Sequence, residues 1–273
     1  MQVVSAQWLA DRLEDPQIAI VDCRFSLADP ARGEREYRES HIPGAYYLNL
    51  DRDLSAPIGP HGGRHPLPDP ATFARKLEAM GIEFDRTTVV AYDDSKMAFA
   101  ARLRWLLGYL GHDRASILDG GWSGWRSLDY PATETLPPAK SGSFSPQIRE
   151  ERIVNIETVK ARKDLPQTLL IDSRDRDRYL GRREPIDPIA GHIPGAVNFP
   201  WQEVCNREGY IKPQDEQERR WQNLPATDEL MLYCGSGVTA CVNLLSLEMA
   251  GIDSAKLYAG GWSDWCSYSI REG

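Results

Sequence analysis

The chain has 273 residues, of which 41% are hydrophobic and 26% charged, and its formal net charge is −8. This length suits two domains of ordinary size, each able to bury a core without disulfide or metal support. No apolar run approaches the ~20 residues of a membrane span, and a negative chain without a Lys/Arg stripe is a poor partner for nucleic acid. The N-terminus lacks a basic start followed by an apolar segment, so we expect no secretory signal and a cytoplasmic location.

Matching motifs occur in the same order in the two halves of the chain. Residues 20–24 read IVDCR and residues 170–174 read LIDSR, HIPGA occurs at 41–45 and at 192–196, and DGGWSGW at 119–125 has the counterpart AGGWSDW at 259–265. This order predicts a tandem duplication. We place the first domain at 1–140, the end of a linker at 141–150 and the second domain at 151–273, because residues 130–147 are rich in Pro, Ser, Thr and Gly.

Short apolar runs predict buried parallel strands, and longer stretches between them predict helices. In the first half the order is helix 5–15, strand 18–23, helix 69–81, strand 88–92, helix 97–111 and strand 116–119. In the second half it is helix 156–163, strand 168–172, strand 229–233, helix 238–251 and strand 256–259. This alternation predicts an α/β fold in which each domain has a parallel sheet covered by helices on both faces. Ligands bind such sheets beyond the carboxyl ends of the strands.

The sequence YCGSGVTAC at 233–241 places Cys234 between a predicted strand and a predicted helix. The free N–H groups and the positive end of the helix favour an anion there, which for cysteine is the thiolate. Gly235 and Gly237 let the backbone curl round the sulfur. The odd cysteine count without a CxxC motif argues against a disulfide framework and a zinc site. We expect the remaining cysteines to be ordinary buried thiols: Cys23, Cys205, Cys241 and Cys266.

By its spacing alone, the Cys234 loop suits acyl, phosphoryl or sulfur transfer. A cysteine phosphatase needs an arginine six residues after the cysteine, and that position is Ala240. The tandem halves, the two HIPGA motifs, the GGWSxW motifs and CGSGVTA together resemble the rhodanese family of sulfurtransferases. CGSGVTA is similar to the loop of members that use 3-mercaptopyruvate, whereas thiosulfate-preferring members carry basic residues after the cysteine.

The resemblance implies a persulfide on Cys234 that takes sulfur from 3-mercaptopyruvate. The sulfur would pass to a thiol such as thioredoxin or glutathione, or to cyanide, with no metal or organic cofactor. The persulfide would be cradled by the backbone of Gly235, Gly237, Val238, Thr239 and Ala240. The first domain reads YDDSKMAF at the corresponding place, so Asp93 stands where the cysteine would be. We expect this copy to be catalytically silent, with Asp93 acting as a helix cap.

Members that use mercaptopyruvate also have a Ser-His-Asp set. Matching by motif assigns Ser236 as the serine, Asp51 in YLNLDRD as the acid and His65 in RHPLP as the histidine. His61 in GPHGG is the competing histidine, and His65 is preferred because the family's histidine precedes Leu-Pro. Such a set can move a proton while the C–S bond breaks.

A carboxylate donor needs a cationic partner, preferably the planar guanidinium of arginine. The family's first such arginine precedes an aromatic residue, which points to Arg178 in DRYLG. Ile186 stands about where the second should be, so Arg182 or Arg183 is expected to replace it. Two other functions remain open: thiosulfate:cyanide sulfur transfer, and a persulfide carrier or regulatory module with little turnover on small donors. The Ser-His-Asp set argues against a carrier, which needs only the cysteine.

Overall fold

The computed structural model describes residues 2–269, which form two compact units. Unit 1 contains the chain up to Ala56, Pro68–Arg149 and Cys205–Ile211. Unit 2 contains Pro57–Leu67, Glu150–Val204 and the chain from Lys212 onward. Each unit therefore includes a short segment from the other half of the sequence, which the repeat pattern did not predict.

Unit 1 contains five strands and five α-helices among its described residues. In chain order they are β1 Val3–Val4, α1 Ala6–Ala10, β2 Ile18–Asp22, α2 Arg32–Glu39, β3 Tyr46–Tyr47, α3 Pro70–Ala79, β4 Thr88–Tyr92, α4 Ala98–Tyr109, β5 Ala115–Leu118 and α5 Gly121–Ser127. The strands form one sheet in the order β1-β5-β4-β2-β3, and every pair is parallel.

Unit 2 repeats this arrangement. Its elements are β6 Ile153–Val154, α6 Ile156–Arg162, β7 Thr168–Asp172, α7 Arg176–Tyr179, β8 Val197–Asn198, α8 Gln214–Trp221, β9 Glu229–Tyr233, α9 Ala240–Met249, β10 Lys256–Tyr258 and α10 Gly261–Ser269. The strand order β6-β10-β9-β7-β8 is the same as in unit 1, again with parallel pairing. The predicted fold, two α/β domains with helix-covered parallel sheets, is confirmed.

Local sequence accounts for many helix ends. The side chains of Ser5, Asp69 and Asn155 accept a hydrogen bond from the N–H three residues on, as N-cap residues do. Glycines with positive φ follow α3, α4 and α9, where a left-handed residue closes the helix: Gly81, Gly111 and Gly251. Each of these helices ends within two residues of the glycine predicted to end it.

A buried aspartate–arginine pair lies at the carboxyl end of β2 in unit 1 and of β7 in unit 2. In unit 2, Arg174 binds Asp172 through Nη2 at 2.7 Å, and these side chains are 1% and 0% exposed. In unit 1, Arg24 and Asp22 form the same pair. Burial alone would lower the pKa of Arg174, but its bonds to Asp172 raise the pKa above the usual value. The IVDCR and LIDSR motifs are therefore structural as well as repeated.

Within the described range, no helix has both the length and the apolar character needed to cross a membrane. Cys23, Cys205, Cys241 and Cys266 are buried, as expected, and Cys234 is buried too.

Candidate active site in unit 2

Cys234 follows β9 directly and is 1% exposed. Its carbonyl accepts a 2.8 Å hydrogen bond from the backbone N–H of Trp262, the first tryptophan of the second GGWSxW motif. Gly237 has φ +71°, and a Cβ built there would lie 2.2 Å from the carbonyl oxygen of Ala259. Only glycine fits this position without moving the backbone, so the loop has a fixed course around the cysteine.

Several N–H groups of this loop have no protein acceptor. In the part of the chain that the structure describes, the backbone N–H groups of Ser236, Val238 and Ala240 donate to no protein atom. Thr239, the N-cap of α9, makes no side-chain capping bond. The loop is largely buried, and buried N–H groups are nearly always paired. This part of the loop is therefore suited to binding an anionic group.

The corresponding loop of unit 1 holds an anionic side chain. Asp93 follows β4, and its carboxylate accepts hydrogen bonds of 2.7 to 3.1 Å from the N–H groups of Ser95, Met97, Phe99 and Ala100. Phe99 and Ala100 lie in the first turn of α4, so Asp93 caps that helix as predicted. The loop thus binds a negative charge through backbone donors alone.

The two loops agree in detail. Asp93 occupies the place of Cys234, so the donors Ser95, Met97 and Phe99 correspond to Ser236, Val238 and Ala240. The carbonyl of Asp93 accepts a 2.9 Å bond from Trp122 N–H, as the Cys234 carbonyl does from the second GGWSxW motif. Because Asp93 fills the unit 1 loop with its own carboxylate, that copy has no thiol to react. Its catalytic silence stays a prediction.

The segment 57–67, which belongs to unit 2, contains both candidate histidines. His65 is 6% exposed, and its Nδ1 lies 2.7 Å from Ser236 Oγ. The Nδ1 of His61 lies 2.7 Å from Ser267 Oγ instead, and its ring stacks on Tyr268. The structure thus brings His65, and not His61, to the serine of the cysteine loop.

Two backbone contacts fix this segment in unit 2. The N–H of Gly62 donates to Asp264 Oδ1 at 2.7 Å. Gly63 has φ +80°, and a Cβ built on it would lie 2.3 Å from the carbonyl oxygen of Gly260. The segment therefore packs against the GGWSDW motif, and at Gly63 the contact leaves no room for a side chain.

Asp51, the acid of the predicted set, lies in unit 1 in the turn after β3. Its backbone N–H donates to Asn49 Oδ1 at 2.9 Å. Its part in the Ser-His-Asp set stays a prediction.

Arg178 lies beside the Cys234 loop. A Cβ built on Gly235 would be 3.5 Å from its Nη1. Its Nε and Nη2 bind Glu184 at 2.8 to 3.2 Å, and Nη2 also binds Asp187 at 2.9 Å. Burial alone would raise the pKa of Glu184, but the Arg178 hydrogen bonds hold the pKa below its usual value. Burial raises the pKa of Asp187.

Arg182 and Arg183 are exposed. Within the described range their guanidinium groups contact only Asp177, at 3.7 Å, and Asp175, at 3.5 Å. Arg64 was not among the site residues predicted from the sequence, but a Cβ built on Gly235 would lie 3.0 Å from its Nη2. The available signal was its position next to His65.

Comparisons with known proteins agree with this geometry. The Rhodanese-like domain family matches the chain twice, over residues 5–128 and 155–268. A relative from Pseudomonas aeruginosa, named "Probable 3-mercaptopyruvate sulfurtransferase", is 44% identical over 97% of this chain and 94% of its own length. The 3-mercaptopyruvate sulfurtransferase of Escherichia coli strain K12 is 34% identical over 96% of this chain and 94% of its own length. The crystal structure of SseA from Escherichia coli, a 3-mercaptopyruvate sulfurtransferase, superposes with a TM-score of 0.85 at 33% identity, covering 96% of this chain and 99% of that one.

Proposed function

The chain belongs to the rhodanese-like family, and from that premise we propose that it is a sulfurtransferase that moves sulfane sulfur from 3-mercaptopyruvate to a thiol or to cyanide through a Cys234 persulfide. The observation that carries this proposal is the Cys234 loop, with N–H groups that lack a protein acceptor. Asp93 supports it, because the equivalent loop of unit 1 binds a carboxylate with the corresponding donors. A persulfide anion on Cys234 has the same charge as that carboxylate.

The reaction has two sulfur transfers. In the first, the Cys234 thiolate attacks the sulfur of 3-mercaptopyruvate, the C–S bond breaks, and its electron pair remains on carbon as pyruvate enolate. Protonation of the enolate carbon gives pyruvate and leaves the persulfide on Cys234. In the second, an acceptor thiolate or cyanide attacks the outer sulfur and restores the Cys234 thiolate. The backbone donors stabilise the negative charge on sulfur throughout.

Ser236 and His65 supply the proton for the enolate carbon. Their 2.7 Å contact allows the imidazole to pass a proton to the hydroxyl as the hydroxyl gives up its own. Asp51 completes the set in this proposal. Thiosulfate has no carbon to protonate, so the relay matters only for a mercaptopyruvate-type donor.

Arg178 binds the donor's carboxylate beside Gly235. Thioredoxin, glutathione and cyanide are the proposed acceptors, and the cytoplasm is the proposed location. Thiosulfate is the alternative donor. It has no carbon that would need the proton carried by Ser236 and His65.

The test is steady-state turnover of 3-mercaptopyruvate and of thiosulfate, with cyanide and with a reduced dithiol as acceptors. Cys234→Ser should abolish transfer from both donors. Ser236→Ala should lower mercaptopyruvate turnover by about 100-fold, the typical share of positioned acid–base catalysis, and change thiosulfate turnover little. Turnover without Cys234 would refute the mechanism. Comparable wild-type efficiency on thiosulfate would refute the choice of donor, and equal losses in Ser236→Ala would reduce the serine to a structural role.

A further inference from the structure

Two guanidinium groups flank the residue that follows Cys234. A Cβ built on Gly235 would lie 3.0 Å from Arg64 Nη2 and 3.5 Å from Arg178 Nη1. Arg178 comes from α7, whereas Arg64 comes from the segment 57–67, next to the histidine that contacts Ser236. Both cations are part of unit 2, and they approach the loop at the same glycine.

One carboxylate joins the two arginines. Asp187 Oδ1 accepts from Arg64 Nη1, and Asp187 Oδ2 accepts from Arg178 Nη2 at 2.9 Å. The Asp187 side chain is only 2% exposed, compared with 26% for Arg64 and 11% for Arg178. The two like charges are thus held side by side by a buried counter-ion, which offsets their repulsion.

Hydrogen bonds engage Nη1 of Arg64 and both Nε and Nη2 of Arg178. Asp187 takes Arg64 Nη1, while Glu184 and Asp187 take Arg178 Nε and Nη2. In the described part of the chain, Arg64 Nη2 and Arg178 Nη1 donate to no protein atom. These are the nitrogens of each arginine that come nearest a Cβ on Gly235. Arg178 Nη2, which is bound by both carboxylates, lies almost as close to that Cβ, at 3.6 Å. The carboxylates therefore hold both guanidinium groups beside the Cys234 loop and leave Arg64 Nη2 and Arg178 Nη1 available to a ligand there.

We propose that Arg64 is the second donor-binding arginine of this protein, and that Arg64 Nη2 and Arg178 Nη1 together bind the carboxylate of the donor. Asp187 is the positioning residue that keeps the two cations together. This inference deepens the proposed function and rests on it for the identity of the donor. It assigns to Arg64 the donor-binding role that the sequence analysis expected of Arg182 or Arg183. Those two arginines are exposed and pair with Asp177 and Asp175.

The chemistry of an α-keto acid fits this pair. Its carboxylate has two oxygens, and each can accept one charge-assisted hydrogen bond from a different arginine. Such a bond is stronger in a partly buried site than at an exposed one, because water competes less. A lysine at position 64 would keep the charge but lose the fixed planar geometry.

The experiment measures 3-mercaptopyruvate binding by calorimetry to the full-length Cys234→Ser protein, which holds the donor without consuming it. Arg64→Met in this background should weaken binding by about 10- to 100-fold, the range expected for losing a hydrogen bond between charged groups. Arg64→Lys should fall between Arg64→Met and the parent. Arg219→Met is the matched control, because it removes the same charge from an exposed arginine of the same unit that pairs with Asp215, and it should change the affinity less than twofold.

The same Arg64 substitutions in the protein with Cys234 intact should raise the KM for 3-mercaptopyruvate more than they lower kcat. Equal affinities for Arg64→Met and Arg219→Met would overturn the inference, as would an Arg64→Lys protein that binds as weakly as Arg64→Met. If the intact protein fails to turn over 3-mercaptopyruvate while binding still depends on Arg64, the proposed function fails and the two-arginine site stands. Absence of binding to the Cys234→Ser protein would overturn the site itself.

Discussion

His61 and His65, four residues apart in one segment, have different hydroxyl partners. His65 contacts Ser236, and His61 contacts Ser267. Sequence reasoning preferred His65 from the Leu-Pro that follows it, and the geometry favours the same residue. The alternation of small and polar residues around both histidines gives no basis for this distinction, so the choice depended on the family resemblance rather than on physical pattern.

Arginines were harder to assign from the sequence. Arg178 was proposed because an aromatic residue follows it, as in the family motif, and it lies beside Gly235. Arg64 was not, because its nearness to that glycine depends on a segment about 170 residues away in the chain packing into unit 2. Arg182 and Arg183 were chosen for their closeness in sequence, but they follow α7 on its solvent side. Sequence proximity does not report which way a charged side chain points.

Glu184 accepts hydrogen bonds from Arg174 and Arg178. Its ionisation should therefore contribute to the free energy of unfolding. Burial alone would raise its pKa, but the Arg178 bonds keep it below the usual value. A depressed carboxyl pKa contributes stability above the ordinary value of about 4.3, and that stability is lost as the pH falls through the folded-state value. Glu184→Gln should therefore be about 1 to 3 kcal/mol less stable than the wild type at pH 7, and the difference should shrink below about pH 4.

Urea unfolding midpoints between pH 3 and pH 7 would measure this. The control is Glu83→Gln, which removes a carboxylate that is 50% exposed and paired with Arg86, itself 82% exposed; exposed pairs contribute little. A Glu184→Gln deficit that is the same at every pH would mean that the charge of Glu184 is not what stabilises the fold.

At the scale of elements, the apolar strands were predictable and the short or polar elements were not. The predicted strands at 88–92, 168–172 and 229–233 agree with the structure residue for residue. The strands β1, β3, β6 and β8 have two residues each, too few for a periodicity to be read. Helix α2, with sequence RGEREYRE, buries only Gly33 and Tyr37 and so has no apolar stripe.

Asp93 and Cys234 each follow a strand and begin a loop that leads into a helix. The two loops have corresponding backbone donors but differ in the group that those donors can bind. In unit 1 the carboxylate is built into the chain and satisfies four N–H groups permanently. In unit 2 the corresponding donors are available to a group carried on sulfur. The substitution of one residue type thus separates a structural loop from a reactive one.

Asp93→Ala tests whether this carboxylate stabilises unit 1. It would leave four N–H groups in a buried loop without an acceptor, and each such group costs on the order of 1 to 3 kcal/mol unless water reaches it. Because burial raises the pKa of Asp93, part of this cost is offset by removing a buried charge. We expect a net loss of more than about 2 kcal/mol in the free energy of unfolding.

Asp94→Ala is the control, since Asp94 is an exposed neighbour whose side chain binds only Ser123 among residues 2–269. Its loss should be under about 1 kcal/mol. Thermal or urea unfolding of both variants would decide the matter. Equal destabilisation would mean that the loop of unit 1 keeps its course without the Asp93 carboxylate.

At the scale of the whole molecule, the duplication was visible in the sequence but the exchange of segments was not. Repeated motifs mark β-sheet ends and turns, and both units retain them in the same topology. The segments 57–67 and 205–211 lie outside the repeated motifs and belong to the unit of the opposite half. Nothing in local periodicity encodes such a choice, because it depends on packing between residues far apart in the chain.

This exchange of segments bears on the proposed site. The segment 57–67 carries Arg64 and His65, so unit 2 obtains two candidate site residues from the first half of the chain. The second half of the sequence alone contains Cys234, Ser236 and Arg178, but it lacks both of these side chains. In the proposed mechanism, the half of the chain that carries Asp93 in place of the cysteine therefore contributes side chains to the site of unit 2.

Gly63→Ala tests this contribution in the full-length chain. At φ +80°, with the Gly260 carbonyl oxygen 2.3 Å from a Cβ, the substitution must push the segment away from unit 2. Small displacements of positioned groups can cost up to about 100-fold in rate, so we expect kcat/KM for 3-mercaptopyruvate to fall by about tenfold or more. The far-UV circular dichroism should stay unchanged, because each sheet keeps its own strands.

Gly59→Ala is the matched control, since a Cβ at Gly59 would lie 3.4 Å from its nearest neighbour, with no positive φ. Wild-type kcat/KM in Gly63→Ala would show that the position of Arg64 and His65 does not depend on this close contact.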